Sequence, residues 1–107
     1  MIMEILNKHK EKLVKLRVFS HGDRMILSAR FSADDFDEAY EMLQEIMEEE
    51  PEVVSLDSDR EFGYAVTLME DVTEEYQEIR ERVHELMREL VEGGEGKEEF
   101  PLPIFEA

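Results

Sequence analysis

This chain of 107 residues is expected to fold as an α+β two-layer sandwich, running strand-strand-helix twice (ββαββα). Three observations lead there. Residues 13–20 and 62–69 alternate inward and outward side chains with the period of a strand. Two later stretches space their apolar residues by three and four, as a helix with one buried stripe does. Clusters of Gly, Asp and Ser separate the strands where turns are needed. The expected sheet is four-stranded and mainly antiparallel, with both long helices on one face.

The elements follow in order. Residues 1–12 place Ile2, Ile5, Leu6 and His9 at helical spacing, although the first six residues also suit an edge strand. In the first strand Val14, Leu16 and Val18 alternate with Lys15, Arg17 and Phe19. His21-Gly22-Asp23 is a turn, and Gly22 supplies the positive φ of a tight hairpin. Met25, Leu27, Ala29 and Phe31 share one face of the second strand, with Ile26, Ser28 and Arg30 on the other. Ser32 is placed to cap the first helix, with Asp35 completing a capping box. Its stripe is Phe36, Ala39, Tyr40, Leu43, Ile46 and Met47, and Pro51 closes it. Residues 52–56 form a third strand, Asp57-Ser58-Asp59-Arg60 a turn, and Phe62, Tyr64, Val66 and Leu68 alternate with Gly63, Ala65, Thr67 and Met69 on the fourth. Asp71 or Thr73 caps a second helix with Val72, Tyr76, Ile79, Val83, Leu86, Met87 and Leu90 on its stripe, stopped at Gly93-Gly94. An offset of 36 aligns Asp35 with Asp71 and Tyr40 with Tyr76, but breaks the inward parity of the strands.

These elements make residues 1–92 one domain, with ββα units at 13–50 and 52–92. Residues 93–107 form an extended tail, since Pro101 and Pro103 forbid a helix or a central strand. The predicted core comprises Val14, Leu16, Val18, Leu27, Phe31, Phe36, Tyr40, Leu43, Met47, Val66, Leu68, Tyr76, Ile79, Val83 and Leu90.

Charge narrows the partners. Twenty-nine acids against twelve Lys and Arg give a net charge of −17. Phosphate affinity comes from cations that release counterions, so neither nucleic acid nor an anionic membrane is expected as a partner. The charge is also lopsided: residues 1–31 hold seven bases and three acids, residues 32–50 nine acids and no base. Without cysteine there is no disulfide, thiolate nucleophile or zinc–thiolate site. The absence of cysteine, of an apolar leader and of any spanning run reads as cytoplasmic. One Asn, two Gln and 38% charged residues lean toward a thermophilic source.

The carboxylates are the candidate functional groups. Asp34, Asp37, Glu38 and Glu41 share a helix face by their spacing, and Glu45 and Glu48 extend it. That face suits a basic protein surface, while a solvated helix face explains the same residues. Asp57, Asp59 and Glu61 have the alternate spacing of a calcium or magnesium loop. Phe62 stands where such a loop needs glycine, and Leu68 where it needs a bidentate glutamate, so a polar hairpin tip accounts for them as well. His9, His21 and His84 lie in three elements without ligand spacing, and no serine elbow or phosphate-binding glycine loop is present. The outer sheet face mixes Lys15, Arg17 and Arg30 with Phe19 and Ile26, which suits cover by the N-terminal helix, a protein contact such as self-association as a homodimer, or, against the overall charge, RNA. Phe100, Leu102, Ile104 and Phe105 make the tail a strap, a dimer arm or a ligand for another protein.

The leading reading is a non-enzymatic interaction or regulatory module with an acidic helix face and no cofactor. The first alternative is a divalent-cation-binding protein, and the second an enzyme whose site forms at a dimer seam.

Overall fold

Gly22, at φ 66°, sets the turn between β1 (Leu13–His21) and β2 (Arg24–Ala33). His21 pairs with Arg24, leaving a two-residue loop that matches the right-handed twist of the strands. The computed structural model describes residues 2–59 and 63–93. It adds α1 (Ile2–Lys8), α2 (Phe36–Met47), β3 (Val53–Asp59), β4 (Gly63–Asp71) and α3 (Tyr76–Gly93). The four strands form one antiparallel sheet in the order β1-β2-β4-β3, with β1 and β3 at the edges. The expected α+β architecture is therefore present.

All three helices pack on one face. Leu16, Leu27, Ala29, Phe31, Val66 and Leu68 point toward them and share a core with Ile2 and Leu6 of α1, Ala39, Met42 and Ile46 of α2, and Ile79, Val83 and Leu86 of α3. α1 meets α2 through Lys8, which donates to Glu45, and α3 through Asn7, which accepts from Arg82 at 2.7 Å. The N-terminal segment is thus helical and belongs to the helix layer.

Several local expectations are corrected. The first helix is capped by Asp35, which accepts from the Glu38 amide at 2.9 Å, while Glu38 accepts from the Asp34 amide at 3.1 Å. Ser32 is not the cap because β2 continues to Ala33 and keeps it in the sheet, opposite Ala65. Asp35→Ala should cost about 1 kcal/mol in a urea titration, the usual value of a lost N-cap. An unchanged midpoint would show that Glu38 and Asp34 hold this end by themselves.

α2 ends before Pro51, as expected. The amides of Glu48, Glu49 and Glu50 reach back three residues, and Glu50 enters the left-handed region at φ 53°. At the other helix, Asp71 still belongs to β4, so a turn intervenes and neither Asp71 nor Thr73 stands at the start of α3. The Glu75 carbonyl takes the first helical bond from Ile79 instead. Asp71 organises the turn: it accepts from the Thr73 amide at 2.9 Å and its hydroxyl at 2.5 Å. The Met25 amide donates to that hydroxyl at 2.9 Å, pinning the turn to β2.

In β1 the register shifts between Leu13 and Lys15, so Val14 bulges out and Leu13 turns into the core at 1% exposure. Residues 57–59, expected in a turn, belong to the β3–β4 ladder instead, where Asp57 pairs with Ala65 and Asp59 with Gly63. The inward residues Leu27, Ala29 and Phe31 fall 37 positions before Tyr64, Val66 and Leu68, one more than the helix offset, which explains the broken parity.

The largest correction is on α2. Phe36, Tyr40 and Met47, all expected in the core, are 50%, 48% and 51% exposed. The buried stripe is Ala39, Met42 and Ile46, with Leu43 packed at its margin. The apolar arc of this helix is wider than one face, and a four-stranded sheet covers only part of it. Alanine at 39 lets the helix sit close to the sheet, and the aromatic flank overhangs β4 toward the β3 edge.

Candidate interaction surface

α2 carries two parallel stripes on its outer side. One is apolar: Phe36, Tyr40 and Met47 recur at four and seven residues, which brings them into line. The rings of Phe36 and Tyr40 stack at 5.9 Å, and Phe36 meets Tyr64 of β4 edge-on at 6.0 Å. These contacts fix the ridge without burying it. The other stripe is acidic, formed by Asp37, Glu41 and Glu48, all exposed.

The six acids expected to share a face, Asp34, Asp37, Glu38, Glu41, Glu45 and Glu48, do not act as one. Glu38 and Glu45 lie on the flank nearest α1, where that segment's bases neutralise them. Lys12 pairs with Asp34 at 3.1 Å and with Glu38 at 3.4 Å. Lys8 and His9 both engage Glu45, and the hydrogen bond from Lys8, then that from His9, holds its carboxyl below the usual glutamate range. Likewise Lys12 is raised above its ordinary value, first by its bond to Asp34. The uneven charge noted in the sequence is thus partly folded onto itself: Lys8, His9 and Lys12 meet acids of residues 34–45. Asp37, Glu41 and Glu48 remain as the outward carboxylates of the set.

Of the proposed cation ligands, Asp57 alone has a described side chain. Asp57 stands on the outer sheet face, 3.7 Å from the Arg30 guanidinium. Glu61 and the side chain of Asp59 lie outside the described residues. Among the described residues, no group of three or more acids or histidines is placed to hold a metal ion. Phe100, Leu102, Ile104 and Phe105, with the rest of the tail beyond Gly93, also lie outside the described residues.

A cavity of about 600 Å³ opens beside the β1–β2 turn, lined by Asp23, Arg24, Asp71, Thr73, Glu74 and Glu78. Its central groups are already engaged with each other. Asp71 accepts from Arg24 at 2.7 Å, and its bonds to Thr73 and then Arg24 hold its carboxyl down at about 2. Glu70, on the helix side of β4, is shifted the other way. One of its oxygens is buried without a hydrogen-bond partner. Burial first, then the nearby charges of Glu49 and Glu75, push it up to about 7.

The half-exposed aromatic ridge is what sequence reasoning missed. Its only signal was an excess of apolar residues around α2, more than one helical face can bury. Among the described residues no helix is long and apolar enough to cross a membrane. No family model, curated protein or solved structure matches this chain.

Proposed function

We propose that this protein is a non-enzymatic interaction module whose α2 surface binds a basic protein segment carrying apolar side chains. The carrying observation is the ridge of Phe36, Tyr40 and Met47, each about half exposed, running beside the outward acids Asp37, Glu41 and Glu48. Large apolar groups aligned on a surface and rimmed by polar ones are the usual composition of a contact patch. Aromatic side chains supply most of the affinity at such patches, and charge governs encounter rate and choice of partner. Here the rim is negative, so the matching partner is an amphipathic segment rich in Lys or Arg, laid along the helix.

A Lys- and Arg-rich amphipathic peptide titrated into the protein tests this reading by calorimetry. Phe36→Ser with Tyr40→Ser should weaken binding at least about tenfold, equivalent to ~1.4 kcal/mol, while leaving the fold intact. Asp37→Lys with Glu41→Lys should mainly slow association and flatten its salt dependence. Binding insensitive to salt, or no binding at low salt, sinks the proposal.

A further inference from the structure

The two edges of the sheet are guarded unequally. Edge strands carry unpaired N–H and C=O groups, which proteins commonly protect with Lys, Pro or a bulge. β1 has Lys15, Arg17 and the bulge at Val14. β3, Val-Val-Ser-Leu-Asp-Ser-Asp, has no Lys, Arg or Pro, and it pairs with β4 in unbroken register from Val53 to Asp59. Among the described residues no strand pairs with its other side. Val53 is 49% exposed, and Val54 and Leu56, on the helix side, are only partly buried.

The apolar flank of α2 runs along this open edge. Phe36 meets Tyr64, which pairs with Ser58, so the start of α2 lies toward the far end of β3. The helix ends at Met47, and Pro51 leads the chain back into Val53 at the near end. Glu45 faces Lys8 of α1 and Glu38 faces Lys12, which leaves Phe36, Tyr40 and Met47 on the opposite flank. Tyr40 lies about 6 Å along the helix from Phe36, close to the ~6.6 Å between alternate side chains of a strand. A strand added beside β3, about 4.8 Å beyond it, therefore keeps its helix-side residues in step with the ridge. Asp37, Glu41 and Glu48 stand exposed above that ridge.

Taking α2 as the contact surface proposed above, we infer that the partner is an extended basic segment that adds a fifth strand to the open edge of β3. Its main chain pairs with that edge. Its helix-side residues, alternately apolar and Lys or Arg, lay their stems on Phe36, Tyr40 and Met47, and the cationic heads reach Asp37, Glu41 and Glu48. Charge selects a basic strand from another protein over a second copy of this chain. β3 carries Asp57 and Asp59 and no base, so two such edges side by side repel, as do two chains of net charge −17. A strand is selected over a helix because only an extended segment satisfies the edge groups of β3 while it covers the ridge.

Two end-capped peptides of equal length and composition (Gln, Lys and Leu) separate the modes. In one, Lys and Leu alternate with Gln at the period of a strand; in the other they recur at helical spacing. Calorimetry with the full chain should show the strand-patterned peptide binding at least about tenfold tighter. N-methylation of its alternate amides should abolish binding for one parity and leave it unchanged for the other, since only one parity faces the edge. On binding, amide exchange should slow at alternate residues of β3 and stay unchanged in β1. Equal or tighter binding of the helix-patterned peptide, or similar losses for both methylation patterns, overturns the edge inference and leaves the α2 surface as the binding site. Failure of both peptides to bind at low salt removes the α2 reading, and this inference with it. Protection of β3 amides that grows with protein concentration in the absence of peptide puts a second copy on the edge and likewise overturns the inference.

Discussion

Phe31→Ala should destabilise the protein by about 3–5 kcal/mol, the usual cost of emptying a fully buried aromatic site. Phe31 lies on the inner face of β2 with no exposed surface, its ring edge-on to His9 at 6.0 Å, and opposite Val66. Truncation removes contacts with the sheet and the helix layer together, and a sheet does not collapse readily into the space. A domain of this size has a total stability of about 5–15 kcal/mol, so the variant sits near the threshold of folding. Phe36→Ala, five residues later, should cost under about 1 kcal/mol, because its ring is half exposed and keeps only the contacts with Tyr40 and Tyr64. Urea titration of the two variants side by side checks the pair. Similar losses would mean that α2 is rotated toward the stripe expected from sequence, and the interaction ridge would disappear with it.

The second large effect is electrostatic and follows from Glu70. Its carboxyl titrates near 7 in the folded protein and near 4.5 when solvated. Between those values the folded state holds a proton that the unfolded state has lost, so stability is intact at the lower end and falls as pH rises through 7. The full shift corresponds to about 3.4 kcal/mol, and screening at a partly exposed site reduces it to roughly 1–2 kcal/mol. Glu70→Gln keeps the shape without the charge. It should raise stability by that amount at pH 8 and leave it unchanged near pH 4.5. Asp71 and Glu45 act with opposite sign, since both are held below their ordinary values and lose their contribution as pH falls through the acid range. Stability should therefore peak between about pH 4.5 and 6. Chemical denaturation across pH, with and without Glu70→Gln, measures this. Equal slopes above pH 5 in the two proteins would remove Glu70 as the cause.

Strands, helices and their order were legible because each rests on interactions within a few residues. Alternation in Tyr64, Val66 and Leu68, the positive φ at Gly22 and the stop at Pro51 need no knowledge of distant partners. The expected outward set of β1 and β2 (Lys15, Arg17, Phe19, Ile26, Ser28 and Arg30) also holds, since strand parity is a local property. The Val14 bulge is the exception that turns Leu13 inward, and its effect stays confined to one residue pair.

What local patterning left open was the rotation of α2 and the fate of its charges. Its apolar residues support two overlapping stripes with nearly equal periodicity, so sequence spacing alone could not choose between Tyr40 and Met42. The choice came from the width of a four-stranded sheet, from Ala39 permitting close approach, and from α1 filling one side of the helix layer. In the same way, pairing of Lys8, His9 and Lys12 with Asp34, Glu38 and Glu45 joins segments 22 to 37 residues apart. Periodicity reports which side chains can share a face, whereas burial depends on how much surface the neighbouring elements have left to cover it.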